Sequence, residues 1–119
     1  MNKIAKAFAN NKKVLIPSIT AGDPDLNATK ELILAMEEAG ADIIELGIPF
    51  SDPVAEGEEM QRSAARALAA GTTTDKIFNM LKELRQETQI PVVLVTYANP
   101  IYTYGCEKFF ENCEACGVS

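Results

Sequence analysis

The chain has 119 residues, eleven Lys and Arg against seventeen Asp and Glu, and no histidine. That length suits one domain rather than two. The missing histidine excludes Ser-His-Asp and Cys-His catalysis and any His-ligated metal, and a net charge of −6 makes nucleic acid a poor partner. No apolar run approaches the roughly 18 residues that a membrane-spanning helix needs, so a soluble chain with no membrane partner is expected.

Residues 2–11 read as a short amphipathic helix, its lysines in water and Ile4, Ala5 and Phe8 inward. The basic start, with Lys3, Lys6, Lys12 and Lys13, raises the question of a signal peptide. The following run 14–21 is too weakly apolar for one and reads better as a strand over 14–20. Ala21-Gly22-Asp23-Pro24-Asp25 has turn chemistry, with Asp25 placed to cap the next helix. That helix spans 26–39, with Ala28, Leu32, Ala35, Met36 and Ala39 as its apolar stripe. Gly40 ends it, and 42–47 form a second strand.

A proline-bearing loop occupies 48–57, followed by an Ala-rich helix over about 58–70 and, past Gly71, a helix over about 74–88. Thr73 or Thr74 caps the latter, and Ile77, Leu81 and Leu84 line one side of it. Residues 91–96 are apolar up to Thr96, as expected of a strand covered on both faces. Tyr97-Ala98-Asn99-Pro100 opens a loop, and a last helix over about 106–116 turns Phe109, Phe110 and Cys113 inward. The order is a helix followed by three strand–helix units, which implies a parallel α/β sheet with right-handed crossovers. The junctions at 38–42 and 114–119 share one build, so a fourth strand should begin near Val118. We therefore expect a single partial domain over 1–119, stopped before its fourth strand or belonging to a longer gene product.

Three features invite chemistry. Cys113 and Cys116 have C-x-x-C spacing, but nothing completes a zinc site. They close a helix rather than opening one, so we expect reduced, packed thiols and a reducing cytoplasm, with no metal. Glu45 shares a strand face with Ile43 and Gly47. A carboxylate among apolar neighbours there is expensive to ionise unless paired, the setting in which carboxylates act as acids and bases near neutral pH. The stiff loop 48–57 adds Asp52 and Glu56 at the C-terminal end of a parallel strand, where α/β active sites form. No glycine-rich phosphate motif occurs, which argues against a free-standing flavodoxin-like nucleotide domain.

Asp42-Ile43-Ile44-Glu45-Leu46-Gly47-Ile48-Pro49-Phe50-Ser51-Asp52-Pro53 resembles the signature of the tryptophan synthase alpha chain family. Ile19-Thr20-Ala21-Gly22-Asp23-Pro24, Ala69-Ala70-Gly71-Thr72-Thr73 and Tyr97-Ala98-Asn99-Pro100 agree with it, so the likeness runs nearly end to end. The resemblance implies a TIM (β/α)8 barrel with an extra N-terminal helix, of which this chain is the N-terminal partial barrel of three βα units. It further implies cleavage of indole-3-glycerol phosphate to indole and glyceraldehyde 3-phosphate. Indole then passes to a beta chain, in an alpha2beta2 tetramer, and the pyridoxal phosphate belongs to that partner; the alpha chain needs no cofactor.

By position, Glu45 matches the general acid/base. Glu56 stands where many members have an aspartate that steadies positive charge at the indole N–H. Tyr97 matches a substrate-pocket tyrosine, and Ser18 stands where many members have a phenylalanine against the indole. Glu58-Glu59-Met60 departs from the family's usual residues before Gln61. Pro49, Asp52 and Asn99 lie in segments that resemble the surface facing the beta chain. In such barrels phosphate is bound by the loops after strands seven and eight, beyond Ser119, so the 119 residues alone are expected to be inactive. Two alternatives are a non-catalytic fragment that self-associates through its open sheet, and a free indole-3-glycerol phosphate lyase.

Overall fold

The structure, a computed structural model, describes residues 2–9 and 13–119. The expected first helix appears as α1, Lys3–Phe8, capped by Asn2, whose side chain accepts from the Ala5 N–H at 2.8 Å. Positions 10 and 11 of that expectation lie outside the described residues. The inward packing of α1 holds only in part: Ile4 is half-buried, but Ala5 is exposed, and Phe8 is 51% exposed. Six residues make fewer than two turns, too few to present a continuous apolar stripe.

Three parallel strands follow, β1 (Ser18–Thr20), β2 (Ile44–Gly47) and β3 (Val92–Val95), in the spatial order β1-β2-β3. β1 is shorter than expected. Pro17 has no N–H to donate, yet residues just ahead of β1 still track β2: Leu15 O accepts from the Asp42 N–H at 2.9 Å, and Pro17 O from the Glu45 N–H at 2.9 Å. The crossovers carry α2 (Leu26–Glu38) between β1 and β2, then α3 (Glu58–Ala69) and α4 (Thr74–Leu84) between β2 and β3. Asp25 caps α2, accepting from the Ala28 N–H at 2.8 Å, and Thr73 caps α4, accepting from the Lys76 N–H at 3.3 Å.

The register sorts the sheet into two faces. Ile19 pairs with Leu46 and Leu46 with Leu94, while Ile44 pairs with Val92. This set joins Ile33 of α2, Ile77, Phe78, Leu81 and Leu84 of α4, Phe109 and Cys116 in one apolar core. The expected α4 stripe is therefore in place. The α2 stripe is rotated: Thr29 and Ile33 are buried and, of the expected stripe, Ala28 is half-buried and Met36 packs against the core, whereas Leu32, Ala35 and Ala39 are exposed. Alanines bring little area to a core, and Ile33 brings much more. The Thr29 hydroxyl can enter because it donates to Asp25 O and accepts from the Gly22 N–H, each at 3.0 Å.

The opposite face carries Ser18, Thr20, Glu45, Gly47, Val93 and Val95. Coverage of both faces of β3 was expected, but Val95 is 45% exposed. Residues after β3 also depart from expectation. The segment read as a loop forms α5, Ala98–Tyr104. Pro100 falls in its first turn, where the missing N–H would have had no helical acceptor. Gly105, at φ +105°, separates α5 from α6 (Cys106–Ala115). In α6, Phe109 is 3% exposed but Phe110 is 60% exposed. The inward stripe runs Phe109, Cys113, Cys116 at helical spacing, and Phe110, one position round, points away from it.

Arg85, just past α4, ties the C-terminal residues to this frame. Its guanidinium donates to Cys116 O at 2.8 Å, Ile90 O at 2.6 Å and Gly117 O at 3.2 Å. Val118 then packs against the core, and the Ser119 N–H donates to Val92 O at 2.9 Å.

Candidate active site

The three strands end at one rim, and the open face meets that rim in a cleft of about 470 Å³. Ser18, Glu45, Glu56 and Tyr97, far apart in the chain, all line it, with Gly47 and Met60. Glu45 arrives there because its strand alternation puts it opposite the core residues Ile44 and Leu46. Across the ladder its partner is Ser18, whose Oγ donates to Glu45 Oε1 at 3.2 Å.

Glu56 comes from the loop 48–57, and four contacts hold that loop against the cleft. The Tyr97 hydroxyl accepts from the Val54 and Ala55 N–H groups, each at 3.2 Å. The Phe50 and Tyr97 rings lie 5.3 Å apart, within the range of favourable aromatic pairs. Gln61 Nε2 donates to Glu56 O at 2.8 Å. Tyr97 thus organises the loop as well as lining the cleft.

The loop after β1 is fixed more tightly. Gly22 has φ +91°, and a Cβ there would collide with the Thr72 side chain. Next to it, Asp23 takes a two-pronged contact from Arg66 of α3, at 2.8 and 2.9 Å, and a 2.6 Å bond from Ser63 Oγ. These bonds, Arg66 first, hold the Asp23 carboxyl below the usual carboxylate range. Sequence reading missed Gln61, Ser63, Arg66 and Thr72. Asp23 and Arg66 are 43 positions apart, and only the crossover brings α3 beside β1.

Pro49 and Asn99 line a second, smaller depression of about 320 Å³ with Phe50, Thr73, Pro100 and Thr103. Asn99 Oδ1 there accepts from Thr103 Oγ1 at 3.1 Å. Asp52 is outside both hollows; it is exposed and accepts from Ser51 Oγ at 2.9 Å. The cysteines are free thiols. Burial pushes the Cys113 and Cys116 thiols up, which leaves little thiolate for nucleophilic or redox work. Among the described residues, no group of three or more Cys, Asp and Glu could hold a metal ion. No helix among them is long and apolar enough to cross a membrane.

The family model described as "Tryptophan synthase alpha chain" matches residues 4–119. The chain belongs to the tryptophan synthase alpha chain family. It is 52% identical over 122 residues to the tryptophan synthase alpha chain of Geotalea uraniireducens, covering 99% of this chain and 46% of that relative. With the alpha chain of Geotalea daltonii the identity is 54% over 117 residues, covering 98% and 44%.

The crystal structure of tryptophan synthase subunit alpha from Legionella pneumophila superposes with a TM-score of 0.95 at 44% identity, over 100% of this chain and 47% of that one. A structure of the tryptophan synthase α2β2 complex from Pyrococcus furiosus matches with a TM-score of 0.84 at 47% identity, over 89% and 42%. The fold is that of the family's TIM barrel, here a partial one with three parallel strands. The chain spans less than half the length of these relatives.

Proposed function

We propose that these residues supply the acid–base half of an active site that cleaves indole-3-glycerol phosphate to indole and glyceraldehyde 3-phosphate, in tryptophan biosynthesis. The observation that carries this reading is the meeting of Glu45, Glu56 and Tyr97 at one cleft. In this chemistry Glu45 gives a proton to the indole ring carbon that bears the glycerol side chain. The ring becomes cationic, and the Glu56 carboxylate steadies the charge at the indole N–H. The bond between that ring carbon and the side chain then breaks, and its electron pair returns to the ring. The side-chain hydroxyl loses its proton as the aldehyde forms, and Glu45, now a carboxylate, is the group placed to accept it. Tyr97 walls the substrate pocket, and the phosphate grip lies outside residues 1–119.

On the same reading the protein is a cytoplasmic carbon–carbon lyase. It pairs with a beta chain through the rim that carries Pro49, Asp52 and Asn99, and the pyridoxal phosphate stays in that partner. The test is turnover of indole-3-glycerol phosphate by the full-length gene product. Glu45→Gln should lower kcat by about 100-fold or more, and unchanged turnover would sink the assignment. The 119-residue chain should be inactive by itself; turnover by it that Glu45→Gln abolishes would overturn that expectation.

A second reading concerns the 119 residues alone. Val95 of β3 is exposed, and the exposed Phe110 of α6 lines a hollow with Leu94 and Thr96; apolar surface left open at the end strand of a sheet pairs readily. Such a fragment should self-associate. Sedimentation at several concentrations checks this, and a strictly monomeric species would end it.

A further inference from the structure

The two carboxylates of the cleft are held in different ways. Glu56 is set through its backbone, whose carbonyl takes the Gln61 amide, and through the loop amides gathered by Tyr97. Glu45 is held through its side chain. Parallel pairing places Ser18 on one side of Glu45 and Val93 on the other, all three on the open face. Val93 has no polar side-chain atom, so across the sheet the Ser18 hydroxyl is the neighbour that can bond to the carboxylate. It does so at 3.2 Å, to Oε1.

We propose that Ser18 is a positioning residue for Glu45. Its hydroxyl fixes one carboxylate oxygen and leaves Oε2 for proton exchange with the substrate. This inference rests on the lyase reading of the cleft. A glutamate side chain turns about three bonds, and proton transfer requires the carboxyl within hydrogen-bond reach of the reacting carbon. A donor on the adjacent strand narrows that freedom at no cost in cleft volume, because serine is small. A group that acts only through Glu45 should change kcat and leave KM alone.

The experiment is steady-state kinetics on the full-length gene product. Ser18→Ala should lower kcat about three- to tenfold, the worth of one hydrogen bond, with KM within about twofold. Ser18→Thr keeps a hydroxyl on the strand and should recover most of the loss. In a Glu45→Asp background, whose shorter side chain has already lost the bond, Ser18→Ala should cost nothing more. An unchanged kcat in Ser18→Ala, a rise in KM alone, or no recovery with threonine would each overturn the positioning role. Turnover that survives Glu45→Gln would overturn the lyase reading and this inference together, so the two failures are distinguishable.

Discussion

The two faces of β2 differ in what they hold. Ile44 and Leu46, fully buried, press against α2 and α4, while Glu45 and Gly47, one residue on, are only part-buried over a cleft. One face is sealed by apolar side chains packed into the core. Across the other, polar groups come from the first strand, the second strand and two loops. On the function proposed above, the lesson is a division of labour at single-residue resolution: stability and chemistry alternate along one strand and can be damaged separately.

The sharpest way to break that comparison is to truncate each face in turn. Leu46→Ala should cost about 2–5 kcal/mol in equilibrium urea unfolding, whereas Glu45→Gln should stay within about 1 kcal/mol. Comparable losses would mean that the open face also carries stability. Phe109 and Phe110 repeat the test on α6: Phe109→Ala should cost about 3–5 kcal/mol, and Phe110→Ala only about 0.5 kcal/mol.

Gly22 comes next, because it holds the rim where the faces meet. Gly22→Ala meets both a positive φ and the Thr72 side chain, so we expect a loss above about 1 kcal/mol. Adding Thr72→Ala should recover part of it, since the collision goes and the backbone strain stays. Tyr97→Phe removes the acceptor of two loop amides. Amide exchange at Val54 and Ala55 should quicken about fivefold, matching roughly 1 kcal/mol, with the urea midpoint little changed.

The smallest effect is electrostatic. Asp23 is held below the usual carboxylate range in the folded chain, so its contribution is present above the ordinary Asp value of about 3.9 and lost as pH falls through its lower folded value. Arg66→Ala should flatten the acid limb of stability against pH by lowering the neutral plateau slightly while leaving stability below both Asp23 values nearly unchanged. An unaltered acid limb would show that the ion pair, which is exposed on its arginine side, is screened away.

Much of this architecture was legible because it is local. The three strand–helix units, the Asp25 and Thr73 caps and the α4 stripe each follow from residues within a few positions of one another. The α2 stripe was misplaced because two stripes satisfy the same helical period, and only the position of the core chooses Ile33 over Leu32. Phe110 was misplaced for the same reason. α5 was missed because proline usually signals a break, and its harmless place in the first turn shows only once the helix start is known.

By itself the sequence determined the parallel order of the elements, the family and the two candidate carboxylates, since strand period and a twelve-residue signature are properties of contiguous chain. Only the tertiary structure decided that Ser18 bonds to Glu45, that Tyr97 and Gln61 hold the loop bearing Glu56, and that Asp23 is locked to Arg66. Each of those contacts but Gln61's spans tens of residues. Its partner is selected by strand register and crossover geometry, which no local pattern encodes.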